Sequence, residues 1–346
     1  MAKHVIFLGA GASYTSGYPL AADLRKLFSS AHTFGDYLRE KIGQIDKPST
    51  NSLAKWFSDL SRAIELFREG GFGTVDEFSF LTGKQFPQEV HELKQLVGII
   101  LALHNPEKSY KLPSGQETNG FESSDYYPLI QRLFGGSDKV RDDIAILSYN
   151  YDPYFEFLLN RAYRTNPSPT MCFPWELLND KDEFVTQDKF AGLEGLASGN
   201  LYFQSTGRTL HELCKAIWQR AQREIAEAEK ISFVGLSMHE FLKPGLRNLF
   251  AERVRKHNAQ KTITHNFDYT LEIVLACPDA WLPGEIFRTQ ARPNSTVAKL
   301  AAMLCDVNPN MAGKIKGQII SHDSGKRAVG GIVCYDNFKS FIEAEL

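Results

Sequence analysis

The stretch HVIFLGAGASYTSGYPLAADL, residues 4–24, joins an apolar run to a loop with two closely spaced glycines and then to a helical pattern. The β-branched and aromatic residues of the run are typical of a buried parallel strand. Gly9 and Gly11 allow close approach of the backbone, and the following helix presents its first N–H groups nearby. This arrangement is either a tight turn or a diphosphate-binding loop. The spacing is not the Gly-x-Gly-x-x-Gly of dehydrogenases, so the loop alone does not distinguish the two.

Three further runs have the composition of buried strands: DDIAILSYN (142–150), KISFVGLS (230–237) and TLEIVLACP (270–278). The opening run and the first two of these are each followed by a helical pattern. This alternation predicts an α/β fold built on a Rossmann-like, doubly wound parallel sheet. We expect residues 1–346 to form a single domain.

Residues 35–139 differ in composition from the alternating strand and helix segments. Their pattern predicts an α-helical insertion between the first two strands. Thr74 and Glu77 have capping-box spacing at the start of one helix. Apolar residues at intervals of three and four predict further helices within 87–105 and 124–136.

The composition limits the class of protein. With 346 residues, 43% of them hydrophobic and 23% charged, the chain has the balance of a folded globular protein. Its net charge of -2 gives no general reason to expect nucleic acid or an anionic membrane as a partner. The longest apolar run, Val97–Leu103, is far below the roughly 20 residues that span a bilayer. The five cysteines form no Cys-x-x-Cys pair, so we expect reduced thiols, no metal site and a cytoplasmic location.

Two more motifs follow predicted strands, where ligands of open α/β sheets bind. In Ser-Tyr-Asn-Tyr-Asp, Asn150 and Asp152 are suited to hydrogen-bonding a sugar and holding a water. Asp152 before Pro153 is equally suited to cap the next helix. Gly235 and Ser237 end another strand, where small residues admit a ligand but also suit an ordinary turn.

The order of these motifs resembles the sirtuin-like NAD-binding superfamily. Gly-Ala-Gly-Ala-Ser with Ser-Gly-Tyr-Pro, a helical insertion, Ser-Tyr-Asn-Tyr-Asp and Gly-Leu-Ser follow one another in this chain. Sirtuins have Gly-Ala-Gly-Ile-Ser with Gly-Ile-Pro, then Thr-Gln-Asn-Ile-Asp and Gly-Thr-Ser. The chain is more similar to the bacterial branch with Asn-Tyr-Asp and Gly-x-Ser, which includes NAD hydrolases of anti-phage defence. The resemblance extends from Lys3 to about Pro278.

The resemblance implies a role for each matched residue. Asn150 would contact the nicotinamide ribose and the attacking nucleophile, and Asp152 the carboxamide region. The loop 9–13 would hold the diphosphate, and Tyr18 and Pro19 would border the nicotinamide pocket. Gly235 and Ser237 would contact the adenosine part of NAD. The residues that would bind NAD are Gly9, Ala10, Gly11, Ala12, Ser13, Tyr18, Pro19, Tyr149, Gly235 and Ser237.

The catalytic histidine of the family has no clear counterpart. Sirtuins carry it in Leu-His-Gly-Ser, between the second and third motifs. GLASGNLYF, residues 195–203, matches that position with Ala197 in place of the histidine, whereas His211 lies in a helical pattern. Ala197 is either an engineered change that traps ligand or permits expression of a toxic enzyme, or the natural residue of a non-catalytic NAD binder.

The resemblance implies an NAD⁺ glycohydrolase that releases nicotinamide and ADP-ribose and depletes NAD during anti-phage defence. Because such an enzyme must be held inactive until it is triggered, we expect a homo-oligomer or a partner defence subunit. The alternative is a non-catalytic sensor of NAD or ADP-ribose in a defence assembly. A protein deacylase is disfavoured, because the four-cysteine zinc module is missing and Leu-Ala-Ala follows Pro19 in place of Asp-Phe-Arg.

Overall fold

The computed structural model describes residues 3–42, 62–103, 124–134, 141–152, 154–155, 158, 171–172, 212–236, 243–259, 271–277, 295–307, 320–321, 326–329, 332–335 and 337–346. These residues form an α/β fold with a largely parallel sheet. Among them, no helix is both long and apolar enough to cross a membrane.

The described strands form one sheet. In chain order they are β1 (His4–Leu8), β2 (Ile144–Ser148), β3 (Met171–Cys172), β4 (Lys230–Val234), β5 (Glu272–Ala276), β6 (Ile320–Ser321), β7 (Lys326–Val329) and β8 (Ile332–Tyr335). Their spatial order is β3-β2-β1-β4-β5-β8-β7-β6. The strands from β3 to β8 in that order pair in parallel, and β7 is antiparallel to both of its neighbours. The four strands predicted from apolar runs are therefore confirmed as β1, β2, β4 and β5.

The described helices include α1 (Ala10–Ser13), α2 (Ala21–Leu27), α3 (Ala31–Ile42), α4 (Val75–Thr82), α5 (Pro87–Leu103), α6 (Tyr126–Phe134), α7 (Glu212–Glu227), α8 (Lys243–Ala259), α9 (Thr296–Val307) and α10 (Phe338–Glu345). Residues 62–69 are also helical. The N-cap half of the predicted capping box is confirmed, because the Glu77 N–H donates to Thr74 Oγ1 at 3.1 Å. The Glu77 carboxylate accepts from the Gly73 N–H at 2.6 Å, one residue before the position that a capping box requires. Between β1 and β2 the described residues are helices and turns. That residues 35–139 form an insertion stays a prediction.

Helices cover both faces of the sheet. Ile6 and Leu8 of β1 pack in a core with α2–α6 and α10, whereas Val5 and Phe7 pack in a second core with α7, α8 and α9. Successive side chains of a strand point to opposite faces, so one strand serves both cores. This two-sided burial explains why the strands are almost continuously apolar.

The loop after β1 lies directly against the loop after β4. The Gly9 N–H donates to the Val234 carbonyl and the Gly11 N–H to the Gly235 carbonyl, both at 2.8 Å. A Cβ atom on Gly9 would lie 2.5 Å from the Leu236 Cα, and one on Gly11 would lie 2.9 Å from the Gly235 Cα. Only glycine permits this approach of the two backbones.

Gly235 is constrained in conformation as well as in space. Its φ is 60°, in the left-handed region, and a Cβ atom there would lie 2.2 Å from the Ala12 nitrogen. We predict that Gly235→Ala costs roughly 1–3 kcal/mol more in unfolding free energy than Gly71→Ala, because only the first substitution adds steric overlap. Gly71 has a φ of 67°, but a Cβ atom added to it would meet no other atom within 4 Å, so its change costs about 1 kcal/mol. Urea unfolding of both variants measures the difference, and equal midpoints would contradict the packing argument.

Candidate functional site

The candidate site lies at the carboxyl ends of β1, β2 and β4. The chain runs from β1 to β2 on one side and later adds β4 on the other side of β1, so the strand order reverses at β1. In open α/β sheets ligands bind in the crevice at such a reversal. The Tyr149 N–H donates to the Leu8 carbonyl at 2.7 Å and extends the pairing beyond β2. The next residue, Asn150, is therefore held beside the loop that follows β1.

Four polar side chains from three segments meet there in one buried network. Ser13 Oγ lies 2.8 Å from Tyr126 Oη and 3.0 Å from Asp152 Oδ1. Asn150 Nδ2 donates to Ser13 Oγ at 2.9 Å and to Tyr126 Oη at 3.0 Å. The four residues are at most 6% exposed. The structure thus brings together three residues predicted from the sequence and adds Tyr126.

Hydrogen-bond capacity fixes the direction of each bond in this network. The Ser13 hydroxyl has one proton, which it donates to the Asp152 carboxylate. Ser13 Oγ must then accept from both Tyr126 and Asn150, which uses its two lone pairs. This assignment requires that the amide nitrogen of Asn150, not its oxygen, faces the two hydroxyls.

The Asn150 amide oxygen takes no part in these hydrogen bonds. Asn150 is 4% exposed, and its Oδ1 has no hydrogen-bond partner among the described residues. A buried carbonyl oxygen without a donor is unfavourable, and most such groups are paired with protein or ordered water. Asn150 therefore presents a fixed acceptor that a hydroxyl group or a water molecule would satisfy.

Asp152 performs the capping role that the sequence allowed and also joins the network. Its Oδ1 accepts from the Tyr154 N–H at 3.2 Å, which is the N-cap interaction. Burial raises the pKa of Asp152 to about 6, while the hydrogen bonds from Ser13 and the Tyr154 backbone oppose that rise. At neutral pH a buried negative charge therefore lies two bonds of the network away from Asn150.

The residues after Ser13 are tied to the start of α6. The Thr15 hydroxyl donates to Asp125 Oδ2 at 3.2 Å, and the Ser16 hydroxyl donates to Ser124 Oγ at 2.7 Å. These bonds set the position of α6, and hence of Tyr126, relative to the loop.

The aromatic residues of the predicted site lie in different environments. Tyr18 is buried, and its ring packs against that of Tyr154 with the centroids 5.3 Å apart. Pro19 is half-buried just before α2. The Tyr149 ring packs against Phe7, with centroids 5.4 Å apart, in the core on the other face of the sheet from Tyr126. Contacts of Tyr18, Pro19 and Tyr149 with NAD stay predictions.

The glycine loop has a structural reason for its composition. The N–H groups of Gly9 and Gly11 bind carbonyls of the β4 segment, and the Ala12 N–H donates to the Gly9 carbonyl at 2.8 Å. The predicted loop 9–13 is in fact a glycine N-cap followed by the short helix α1, in which Ala10 is exposed. Binding of a diphosphate by this loop stays a prediction, because the two glycines are already required by backbone packing with Gly235.

Two predicted site residues, Ala197 and Ser237, lie outside the described residues, as does His211. In the described part of the chain, no three histidine, cysteine or acidic side chains lie together so as to bind a metal ion.

Two hydroxyl contacts at this edge of the sheet were not indicated by any sequence pattern. Tyr126 occupies an apolar position of a predicted helix, and the one available clue is that a buried tyrosine hydroxyl needs a partner. Tyr151, between the two motif residues, donates its hydroxyl to Asp76 Oδ1 at 2.5 Å and so joins the motif to α4.

Comparison with known proteins returns no matching family model and no significant match among curated proteins.

The raised pKa of Asp152 predicts a pH-dependent contribution to stability. Below about pH 4 the carboxyl group is protonated in both folded and unfolded chains. Between there and the folded pKa of about 6, only the folded chain keeps the proton, so the group's contribution to the unfolding free energy falls as pH rises. Asp152→Asn keeps an oxygen acceptor but does not titrate. We predict that its unfolding free energy, relative to that of the parent, rises by up to about 3 kcal/mol between pH 4 and 7.

Urea unfolding of both proteins across this range measures the gain. Parallel stability curves for the parent and Asp152→Asn would contradict the burial of an ionisable carboxyl group at this position.

Proposed function

We propose that the chain is an NAD⁺ glycohydrolase with a Rossmann-like, doubly wound domain, and that it cleaves NAD⁺ to nicotinamide and ADP-ribose. The observation that carries this proposal is the buried Asn150 Oδ1, which has no partner among the described residues. Its location at the carboxyl end of β2, beside the reversal of strand order, supports a role in ligand binding.

Glycosidic cleavage gives a role to such a group. Loss of nicotinamide from the ribose passes through an oxocarbenium-like state, as in glycoside hydrolysis. The enzyme must hold a nucleophile against the anomeric carbon, and correct positioning alone lowers the barrier substantially. An amide oxygen accepts a hydrogen bond from a ribose hydroxyl or an attacking water throughout the physiological pH range, because the amide does not titrate there. Asn150 Oδ1 is proposed to orient that hydroxyl or water.

Asp152 supports the same reaction through its charge. Positive charge develops on the ribose in the transition state, and a preorganised anion in a buried site stabilises it. The Asp152 carboxylate is buried and accepts from Ser13, which in turn accepts from Asn150. The carboxylate therefore supplies negative potential at the site and also helps to fix the amide.

A non-catalytic sensor of NAD or ADP-ribose is the second candidate, and Ala197 is the observation that favours it. Alanine has no side chain that transfers a proton, whereas the resemblance to sirtuins places a histidine at this position. In that case Asn150 would serve in binding and not in turnover.

The biological setting is proposed from the same resemblance. An NAD⁺ glycohydrolase of a bacterial cytoplasm would serve anti-phage defence by depleting NAD, and it would be controlled through a homo-oligomer or a partner subunit. Deacylation of proteins is the least favoured reaction, because the chain lacks the zinc module of the deacylases.

We predict that Ala197→His produces NAD⁺ cleavage that the parent chain lacks, with nicotinamide and ADP-ribose formed in equal amounts. Adding Asn150→Ala to the active protein should reduce kcat by about 100-fold or more, because an oriented hydrogen-bonding group is lost from the transition state. Chromatographic quantification of both products measures the rates.

Asn248→Ala is the matched control, since it makes the same chemical change at an exposed position of α8. NAD⁺ binding without turnover in both the parent and Ala197→His would favour the sensor. The absence of both binding and turnover would refute the proposal.

A further inference from the structure

We propose that Tyr126 is the positioning residue that sets the orientation of the Asn150 amide. This inference rests on the proposed function only for its catalytic consequence, because the orientation itself is a property of the free protein. Tyr126 belongs to none of the motifs that carry the family resemblance.

The Tyr126 hydroxyl binds two members of the network at once. It accepts from Asn150 Nδ2 at 3.0 Å and donates to Ser13 Oγ, 2.8 Å away. Nδ2 has two protons, and the two hydroxyls take one each. With both protons committed, the amide is locked with Oδ1 on the side away from the hydroxyls.

Rigid packing holds the Tyr126 ring in place. The residue is 0% exposed. Its ring centroid lies 6.0 Å from that of Tyr154, 5.3 Å from that of Phe155 and 5.9 Å from that of Phe338. These rings come from the segment after Asn150 and from α10, so the hydroxyl is fixed by the core and not by the ligand. A site group held by packed neighbours keeps its geometry better than one on a free loop.

Removal of the hydroxyl would release the amide. In Tyr126→Phe one Nδ2 proton loses its acceptor inside the core, which is unfavourable in the present orientation. Rotation of the amide by half a turn would let Oδ1 accept from a water in place of the lost hydroxyl, and it would present a donor where the ligand meets an acceptor. The ring remains, so the fold is retained.

The first test needs no substrate. Nuclear magnetic resonance of the Asn150 side-chain amide in the parent chain, in Tyr126→Phe and in Tyr127→Phe compares hydrogen exchange of its two protons. Tyr127 is the matched control, because it is the neighbouring tyrosine of α6 and is 39% exposed. We expect exchange to accelerate by about tenfold or more in Tyr126→Phe alone. Equal protection in all three proteins would overturn the proposal.

The second test is a double-mutant cycle on NAD⁺ turnover in the Ala197→His background. Tyr126→Phe alone should lower kcat by about tenfold with KM within about twofold, because an orienting interaction is lost while the binding contacts remain. Added to Asn150→Ala, it should cause no further loss, since it acts through that amide. Losses that multiply would mean a general structural role and would overturn the proposal.

The two tests separate the inference from the proposed function. If the amide protons lose protection in Tyr126→Phe but no protein cleaves or binds NAD⁺, the positioning role stands and the proposed function fails. If NAD⁺ is cleaved and Tyr126→Phe turns over as fast as the parent, the proposed function stands and Tyr126 is not its positioning residue.

Discussion

The backbone of the loop after β1 rests on the backbone of the loop after β4, and the candidate site depends on this contact. It is made by hydrogen bonds of 2.8 Å from Gly9 and Gly11, and side chains on either glycine or on Gly235 would separate the two segments. The contact determines where α1 begins and therefore where Ser13 lies. Ser13 is the common partner of the other three network residues. The glycines thus act on the site by placing Ser13, independently of any ligand.

The sheet could be predicted from the sequence where burial is two-sided and strands are long enough to show it. β1, β2, β4 and β5 are each five residues of nearly continuous apolar character, which is the pattern of a parallel strand covered on both faces. β3 and β6 have two residues each and carry no periodicity that a local pattern could reveal. Their pairing depends on neighbours far away in the sequence.

The site could be predicted in part for a related reason. Asn150 and Asp152 follow a strong strand, so their place at its carboxyl end is determined by local sequence. From the sequence Asp152 could be a helix cap or a site residue, and in the structure one oxygen atom accepts both the capping N–H of Tyr154 and the hydroxyl of Ser13. Tyr126 could not be predicted, because its partner Ser13 is 113 residues away and an apolar position on a helix does not indicate a hydroxyl contact. Tertiary packing of α6 brings them together, with the bonds from Thr15 and Ser16 to the residues just before this helix.

The balance of donors and acceptors in the network determines which atom is left to bind a ligand. Ser13, Tyr126 and the Asn150 amide nitrogen use their protons on one another and on Asp152, so no proton of the three is left to face a ligand. What remains is an acceptor, Asn150 Oδ1. A buried network that satisfies every member but one concentrates its unmet capacity on a single atom. Such an atom favours a hydroxyl-bearing ligand over one that offers only acceptors, and a phosphate would gain nothing from it. The proposed binding of a nucleotide sugar, or of a water beside it, depends on this one acceptor.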